Sequence, residues 1–129
     1  MLDNKKKFGV ATKAIHSGQE PDKSTGAIMV PIYASSTYVQ ESPGKHKGYE
    51  YSRTQNPTRE AYEKCIADLE SGEYGFAFAS GMSAADAILG LLKVGDEVIA
   101  IDDLYGGTRR LFEKVVSIKS ELTFKFIDY

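Results

Sequence analysis

Three short polar stretches of this 129-residue sequence carry groups suited to binding an anion or an aromatic ligand. The first is "EYSRTQNPTR" (residues 50–59), in which Tyr51 and Arg53 stand two positions apart. Because a guanidinium donates two parallel hydrogen bonds to a phosphate, this pair predicts an anion site. A plain surface loop that leads into a helix is the competing interpretation, since Pro57 is typical of a first helical position.

The second stretch is Ser80-Gly81-Met82-Ser83, which follows the apolar run "FAFA" and opens a helical pattern. Its backbone N–H groups and the helix dipole would suit an anion. The stretch has neither the G-x-G-x-x-G spacing of a dinucleotide site nor the G-K-[ST] of a nucleoside-triphosphate loop. Taken alone, the stretch is explained better by an ordinary N-cap at Ser80.

The third stretch is "DDLYGGT" (residues 102–108), where Tyr105 precedes two glycines and follows the apolar run "VIAI". The phenol ring could stack on a planar ligand or pack on its own loop, and the spacing favours neither. Ligands of α/β sheets bind at the carboxyl ends of the strands, so an anion site and an aromatic ring are expected at neighbouring strand ends. A phosphate attached to a flat heteroaromatic ring would satisfy both.

The elements that must position these groups alternate regularly after Pro57. Asn56-Pro57 predicts a helix start and Ser71-Gly72 its end, with Tyr62, Cys65, Ile66 and Leu69 on one face. The patterns that follow predict a strand, a helix, a strand, a helix and a strand, over residues 74–79, 80–93, 97–101, 107–119 and 122–129. The second helix is expected to turn Ala84, Ala87, Ile88, Leu91 and Leu92 inward. The order α-β-α-β-α-β predicts a parallel sheet with helices on its faces.

The residues up to Pro57 have a different composition, because they hold all four prolines and show no sustained helical period. The apolar segment "AIMVPIYASSTYV" is broken by Pro31 and cannot be a central strand throughout. We therefore predict an extended arm over residues 1–57, which contacts a neighbouring subunit or domain, and the beginning of an incomplete α/β domain over 58–129. Three parallel strands with bare edges would be unusual for a complete domain, so a larger protein is expected.

Charge and cysteine content exclude several classes of function. The net charge of −2 gives no basic field for nucleic acid. Cys65 is the only cysteine, and His16 and His46 stand far apart, so neither a disulfide nor a metal site is expected. The sequence shows neither a signal peptide nor a membrane span of roughly 20 apolar residues. A cytoplasmic location without membrane contact is therefore predicted.

The motifs "YEYSRTQNPTR", "FAFASGMSA" and "DDLYGGTRRLF", in that order, resemble the Cys/Met-metabolism family of pyridoxal-phosphate (PLP) enzymes. The segments "AIHSGQEPD" and "GAIMVPIYASSTY" also resemble its N-terminal part, so the similarity covers the chain from Thr12 onward. This family includes cystathionine γ-lyases, γ-synthases and β-lyases and methionine γ-lyases. The resemblance implies an N-terminal arm followed by the first βα units of a fold-type I, aminotransferase-like large domain.

The resemblance also implies a role for individual residues. Tyr51 and Arg53 match the pair that binds the cofactor phosphate in a neighbouring subunit's active site. Gly81 and Met82 match the backbone donors to the phosphate. Tyr105 matches the tyrosine that stacks on the pyridine ring and assists proton transfer. The implied assembly is a homotetramer, built as a dimer of dimers with shared active sites.

The substrate side is implied less fully. Arg110 matches an arginine near the substrate, and Glu50 before Tyr51 is similar to the γ-lyase and γ-synthase pattern. Gly107 stands where methionine γ-lyases typically have a cysteine, which disfavours that reaction. The resemblance favours γ-elimination of cystathionine to cysteine, 2-oxobutanoate and ammonia. Cystathionine γ-synthase and β-lyase activities stay open.

The family attaches its cofactor through a lysine well beyond the third strand, and an aspartate there pairs with the pyridine nitrogen. Lys93, Lys114, Lys119 and Lys125 match no such motif. The 129 residues alone are therefore expected to lack catalytic activity. A truncated, non-catalytic subunit that associates with a full-length homologue is the alternative from another class.

Overall fold

The computed structural model describes residues 8–128 and divides the chain into two compact units, one ending at Ala77 and one beginning at Phe78. The first unit contains α1 (Val10–His16), β1 (Gln40–Ser42), β2 (Lys45–His46) and α2 (Pro57–Leu69). The second contains α3 (Gly81–Leu89), β3 (Glu97–Ile101), α4 (Gly106–Leu111), a π-helical turn (Phe112–Val116), α5 (Ser117–Ser120) and β4 (Thr123–Ile127).

Helix α2 begins and ends at the residues that the sequence predicts. The Asn56 side chain accepts hydrogen bonds from the backbone N–H groups of Thr58 and Arg59, and Pro57 occupies the first helical position. At the other end, Ser71 takes a left-handed conformation and the Gly72 N–H donates to the Ala67 carbonyl at 2.7 Å. Both ends are therefore fixed by local contacts.

Helix α1 was not predicted, because the expectation for residues 1–57 was an extended arm without a helix. Its seven residues are too few to show a clear period, and it is held by contacts with α2. Lys13 Nζ donates to the Asp68 carbonyl at 2.6 Å and lies 3.1 Å from Asp68 Oδ1, and Ser17 donates to the same carboxylate. None of the described residues before α2 is buried.

In the second unit, β3 and β4 pair in parallel with Glu97 opposite Thr123 and Ile101 opposite Ile127. This pairing confirms the predicted parallel sheet. Helical residues cover one face of the pair, and the Phe112 and Phe124 rings stack with centroids 4.7 Å apart. The buried core of the unit is Leu89, Phe112, Val116 and Leu122.

The other face of the β3–β4 pair, called here the open sheet face, is uncovered in the described part of the chain. Ile99, Ile101 and Ile127 are exposed there. Lys125 Nζ lies 2.6 Å from Glu97 Oε2 across the two strands. With three exposed isoleucines and one ion pair, this face is more apolar than a sheet face that is normally in contact with solvent.

The prediction of a strand over 74–79 was wrong. The Ala77 N–H donates to Glu63 Oε1 at 2.9 Å, so the segment lies on α2 instead of pairing with a strand. A Cβ on Gly75 would lie 2.3 Å from the Glu63 carbonyl oxygen, which shows how closely the backbones approach. In the described residues, 8–128, the first strand of the predicted order α-β-α-β-α-β is therefore absent, and α2 is followed directly by α3.

Two predicted helices also differ from their expected form. The second ends at Leu89 instead of residue 93, with Gly90 at its C-cap, and this leaves Leu91 exposed instead of inward. The third is interrupted by the π-helical turn, which places Phe112 and Val116 in the core. None of the helices described is long and apolar enough to cross a bilayer.

Candidate functional site

The loop that carries Tyr51 and Arg53 is fixed by backbone hydrogen bonds. Tyr51 forms an antiparallel bridge with Thr37, and the Ser52 N–H donates to the Ser36 carbonyl at 2.8 Å. The N–H groups of Thr54 and Gln55 both donate to the Tyr51 carbonyl, at 3.1 and 3.0 Å. The loop therefore has a defined conformation although its side chains are largely exposed.

The side chains of Tyr51 and Arg53 contact each other. The Arg53 guanidinium carbon lies 4.8 Å from the centroid of the Tyr51 ring, within the range of a cation–π contact. Within residues 8–128 Arg53 forms no ion pair, and its side chain is exposed. A phenol and a guanidinium with available donors are thus placed side by side, as an anion site requires.

Two residues that hold this loop were missed by the sequence reasoning. Asn56 Nδ2 donates to the Tyr33 carbonyl at 3.0 Å and to Ser52 Oγ at 3.2 Å. Arg59 Nη1 and Nη2 donate to the carbonyls of Ser52 and Thr54, at 2.9 and 2.7 Å. The sequence does indicate that Arg59 needs a partner, because a cation in the first turn of a helix is disfavoured by the helix dipole.

Glu50 is half-buried, and its carbonyl accepts from the Tyr38 N–H at 3.1 Å. Beside it, the Tyr49 hydroxyl donates to Glu60 Oε2. Burial and the Glu60 carboxylate raise the pKa of Tyr49 to about 12. Lys64 and, after it, the Tyr49 hydroxyl lower the pKa of Glu60. The residues before Tyr51 are therefore anchored to α2 by a hydrogen bond from the neutral Tyr49 phenol to the ionised Glu60 carboxylate.

We expect Tyr49 to ionise at a higher pH than an ordinary tyrosine. The folded pKa is raised above the unfolded value of about 10, so the contribution to stability is complete below about pH 10. It is lost as the pH rises towards 12. In a Tyr33→Phe background, chosen because the Asp22 carboxylate also raises the pKa of Tyr33, tyrosinate absorbance followed against pH should show a late component. Tyr49→Phe should remove this component, and Tyr74→Phe, a change at an exposed tyrosine, should retain it. A late component that survives Tyr49→Phe would contradict this assignment.

The turn at residues 80–83 is both an N-cap and a set of available donors. Ser80 Oγ accepts from the Ser83 N–H at 3.2 Å, and Ser83 Oγ accepts from the Ser80 N–H, which completes a capping box. The ordinary N-cap interpretation of Ser80 is thus confirmed. The N–H groups of Gly81 and Met82 have no intrahelical acceptor, since they lie in the first turn. The space where a Gly81 Cβ would lie is open.

The ring of Tyr105 packs on its own loop and is still exposed. A Cβ on Gly107 would lie 2.5 Å from Tyr105 Cε1, so this ring position requires a glycine at 107. The side of Tyr105 away from Gly107 is open, because the residue is 76% exposed. The two interpretations of Tyr105 from the sequence are therefore compatible: one side of the ring contacts the loop and the other is free to stack.

Arg109 and Arg110 are adjacent but differ in their contacts. Arg109 forms ion pairs with Asp102 and Glu113, and its guanidinium carbon lies 4.3 Å from the Phe126 ring centroid. The Asp102 carboxylate, followed by Glu113, raises the pKa of Arg109. Arg110 is exposed and forms no ion pair with the described residues. Arg110 is therefore the arginine of the two that is available to a ligand.

The second unit brings the 80–83 turn close to the helix that follows Tyr105. Thr108 Oγ1 lies 3.7 Å from Met82 Sδ, which joins the first turns of α3 and α4. Tyr51 and Arg53 lie in the first unit, together with Glu50. Each unit therefore supplies its own group of predicted site residues.

The groups of the second unit suit a ligand that carries a phosphate on a flat ring, because the free donors of the α3 N-terminus suit a phosphate and the exposed Tyr105 ring suits a flat ring. In the first unit, the free donors of Arg53 suit an anion. No cluster of three or more metal-ligating side chains occurs in residues 8–128. The chemistry of the donor set is thus that of an anionic, aromatic organic group.

Comparison with known proteins gives one consistent result. A sequence profile described as "Cys/Met metabolism PLP-dependent enzyme" matches residues 11–129. The cystathionine beta-lyase of Coxiella burnetii is 60% identical over 98% of this chain and 33% of its own length. A probable cystathionine gamma-synthase of Herpetosiphon aurantiacus is 53% identical over 94% of this chain and 38% of its own length.

Solved structures agree with the sequences. The crystal structure of cystathionine gamma-lyase from Lactobacillus plantarum, complexed with L-serine, matches with a TM-score of 0.84 and 46% identity. The match covers 94% of this chain and 31% of that protein. The chain therefore spans about a third of the length of the relatives it matches.

Proposed function

The chain belongs to the PLP-dependent enzymes of Cys/Met metabolism, and from that premise we propose that it forms the N-terminal portion of a cystathionine γ-lyase. "The complete enzyme" below means a protein of the relatives' length that includes this chain. The proposed reaction is γ-elimination of cystathionine to cysteine, 2-oxobutanoate and ammonia. The observation that carries the role of the site is the Tyr105 ring, held on Gly107 with its other side open, beside the α3 N-terminus.

The cofactor, when bound, supplies an electron sink for the carbanion formed next to the substrate amino group. The N–H groups of Gly81 and Met82 bind its phosphate in the chain's own site. Tyr51 and Arg53 bind the phosphate in a neighbouring subunit's site, on an arm that we place at residues 1–57. The available donors of Arg53 support this role.

The other site residues handle protons and substrate. Tyr105, whose residue is 76% exposed, stacks on the cofactor ring and moves protons through its hydroxyl. Arg110 binds a substrate carboxylate, since its guanidinium is exposed and unpaired in the described chain. Glu50 lies at the substrate side. A homotetramer with shared sites and a cytoplasmic location stay predictions.

The preference for γ-elimination rests on Glu50 before Tyr51, a pattern similar to that of γ-lyases and γ-synthases. The relatives' names also include β-lyase and γ-synthase, so the reaction has to be identified from the products that the complete enzyme forms. With cystathionine, γ-elimination releases 2-oxobutanoate and cysteine, whereas β-elimination releases pyruvate and homocysteine. Formation of cystathionine from cysteine and an activated homoserine would identify a synthase. A different 2-oxo acid from cystathionine would overturn the proposal for γ-elimination and leave the family role intact.

We expect the 129-residue chain, mixed with PLP, to show no stable visible absorption from a lysine-bound cofactor. The reason is that Lys93, Lys114, Lys119 and Lys125 match no cofactor-binding motif. Borohydride reduction followed by peptide mapping checks the result. A visible band that disappears on reduction, with the label retained on one lysine, would show that this lysine binds the cofactor and would contradict the prediction.

A truncated subunit that binds a full-length homologue is the alternative proposal. It is distinguished by the intact mass of the purified protein and by the coding DNA beyond Tyr129. A reading frame that continues to a lysine after further βα units supports the enzyme. A stop codon and a mass of 14.2 kDa support the truncated subunit.

A further inference from the structure

The guanidinium of Arg59 binds the backbone on both sides of Arg53. Nη1 donates to the Ser52 carbonyl at 2.9 Å and Nη2 to the Thr54 carbonyl at 2.7 Å. These two carbonyls belong to the residues before and after Arg53. The peptide segment from which the Arg53 side chain projects is therefore held by one planar group on α2.

The position of Arg59 in the helix is unfavourable without these contacts. It is the third residue of α2, where the helix dipole is positive and a cation is disfavoured. Its side chain is 32% exposed, and Nε lies 3.4 Å from Glu63 Oε1. Charge-assisted bonds to two carbonyls, together with the Glu63 carboxylate, offset the unfavourable position.

A planar fork is needed for this arrangement. The two terminal nitrogens of Arg59 reach two different carbonyls, while Nε faces Glu63. A lysine ammonium keeps the charge but has a single nitrogen, so it cannot reproduce the three contacts. Arg59→Lys therefore removes the geometry and retains the charge on α2.

The side chain of Arg53 has little support of its own. Its described contact is the Tyr51 ring, at 4.8 Å, and it is exposed. A mobile arginine must lose conformational freedom when it binds a phosphate, which reduces affinity. Fixing its backbone reduces that loss, because the side chain then starts from one defined position.

We propose that Arg59 is a positioning residue, which holds the loop Tyr51–Gln55 so that Tyr51 and Arg53 present their donors to a phosphate. This inference rests on the proposed function, in which these two residues bind the cofactor phosphate. It adds a residue that touches neither cofactor nor substrate and acts through the backbone of the loop.

The test compares binding of PLP with binding of pyridoxal, which has the same ring and no phosphate. Dissociation constants are measured with the apo form of the complete enzyme, for the wild type and for Arg59→Lys. The expected result is a loss of PLP affinity of about 10- to 100-fold, as for lost charge-assisted bonds, with pyridoxal affinity unchanged. Lys45→Ala is the control, because it removes a cation of the same unit whose exposed ion pair, with Glu41, lies within the β1–β2 hairpin.

An equal loss of affinity for PLP and pyridoxal would show general structural damage and overturn the proposal, as would no loss of either. Arg53→Ala and the double variant separate this inference from the proposed function. If Arg59→Lys acts through the loop, it should have a much smaller effect on PLP binding when Arg53 is already alanine. If Arg53→Ala selectively weakens PLP but Arg59→Lys does not, the positioning role alone fails. If Arg53→Ala does not discriminate between the ligands, the proposed phosphate site fails as well.

Discussion

Replacing Tyr105 with phenylalanine is expected to slow turnover of the complete enzyme by about 10²–10⁴-fold, the range typical of a lost acid–base group. The cofactor should stay bound, because the ring that lies on Gly107 is retained and only the hydroxyl is removed. The measurement is kcat together with the PLP content of the purified protein.

Tyr62→Phe is the control for this change, because it removes a hydroxyl from an exposed tyrosine on α2 that has no proposed role. It should leave turnover unchanged. If Tyr105→Phe also turns over normally, Tyr105 is only a stacking surface. If the variant loses its cofactor, the hydroxyl contributes to binding instead of proton transfer.

Arg53→Ala is expected to weaken cofactor retention by about 1.5–3 kcal/mol, the range for hydrogen bonds to charged groups. The guanidinium has free donors beside Tyr51, and alanine removes them without disturbing the backbone bonds of the loop. The measurement is the dissociation constant of PLP for the apo form of the complete enzyme. Retention equal to that of the wild type would remove Arg53 from the phosphate site.

Subunit complementation tests whether Arg53 serves a neighbouring chain. An Arg53→Ala subunit is mixed with a subunit whose cofactor-binding lysine is replaced, and subunit exchange is verified independently. If the site is shared, some sites in the mixed dimers combine an intact lysine with Arg53 of the other chain, and activity returns. If Arg53 acts within its own chain, every site keeps one defect and activity stays low. The second result would end the proposal of an arm across an interface.

The parts of the fold that were predicted correctly depend on local signals. The cap at Asn56 and Pro57 and the stop at Ser71-Gly72 define α2 through contacts within a few residues. Strand β3 has the bounds expected from its apolar sequence, "EVIAI". Such signals act over one turn of chain, so they can be recognised without tertiary structure.

The errors arose where distant partners decide the conformation. The segment 74–79 has the composition of a strand, but the Ala77 N–H is taken by the Glu63 side chain. Helix α1 depends on Asp68, more than fifty residues away in sequence from Lys13. The predicted apolar faces of α2 and α3 leave Tyr62, Ile66 and Ile88 exposed, because periodicity indicates a face and not what covers it.

For the candidate site, residue types indicated the groups and the structure supplied their supports. Tyr51 and Arg53 were selected because a phenol and a guanidinium suit an anion. The Ser52 and Thr54 carbonyls that Arg59 binds are backbone atoms, so the sequence could indicate that Arg59 needs a partner, from its place in the first turn of α2, but not which partner it has. The requirement for glycine at 107 became apparent only from the position of the Tyr105 ring.

An uncovered open sheet face is expected to favour association of folding intermediates through that face. Ile99, Ile101 and Ile127 form an apolar row beside strand edges that can pair with another chain. Parallel strands need distant segments to meet, so such sheets form slowly and stay exposed to aggregation for longer. The Glu97–Lys125 ion pair opposes such association, since burying it would remove two charges from water and Lys125 lies opposite Ile99 in the strand pairing.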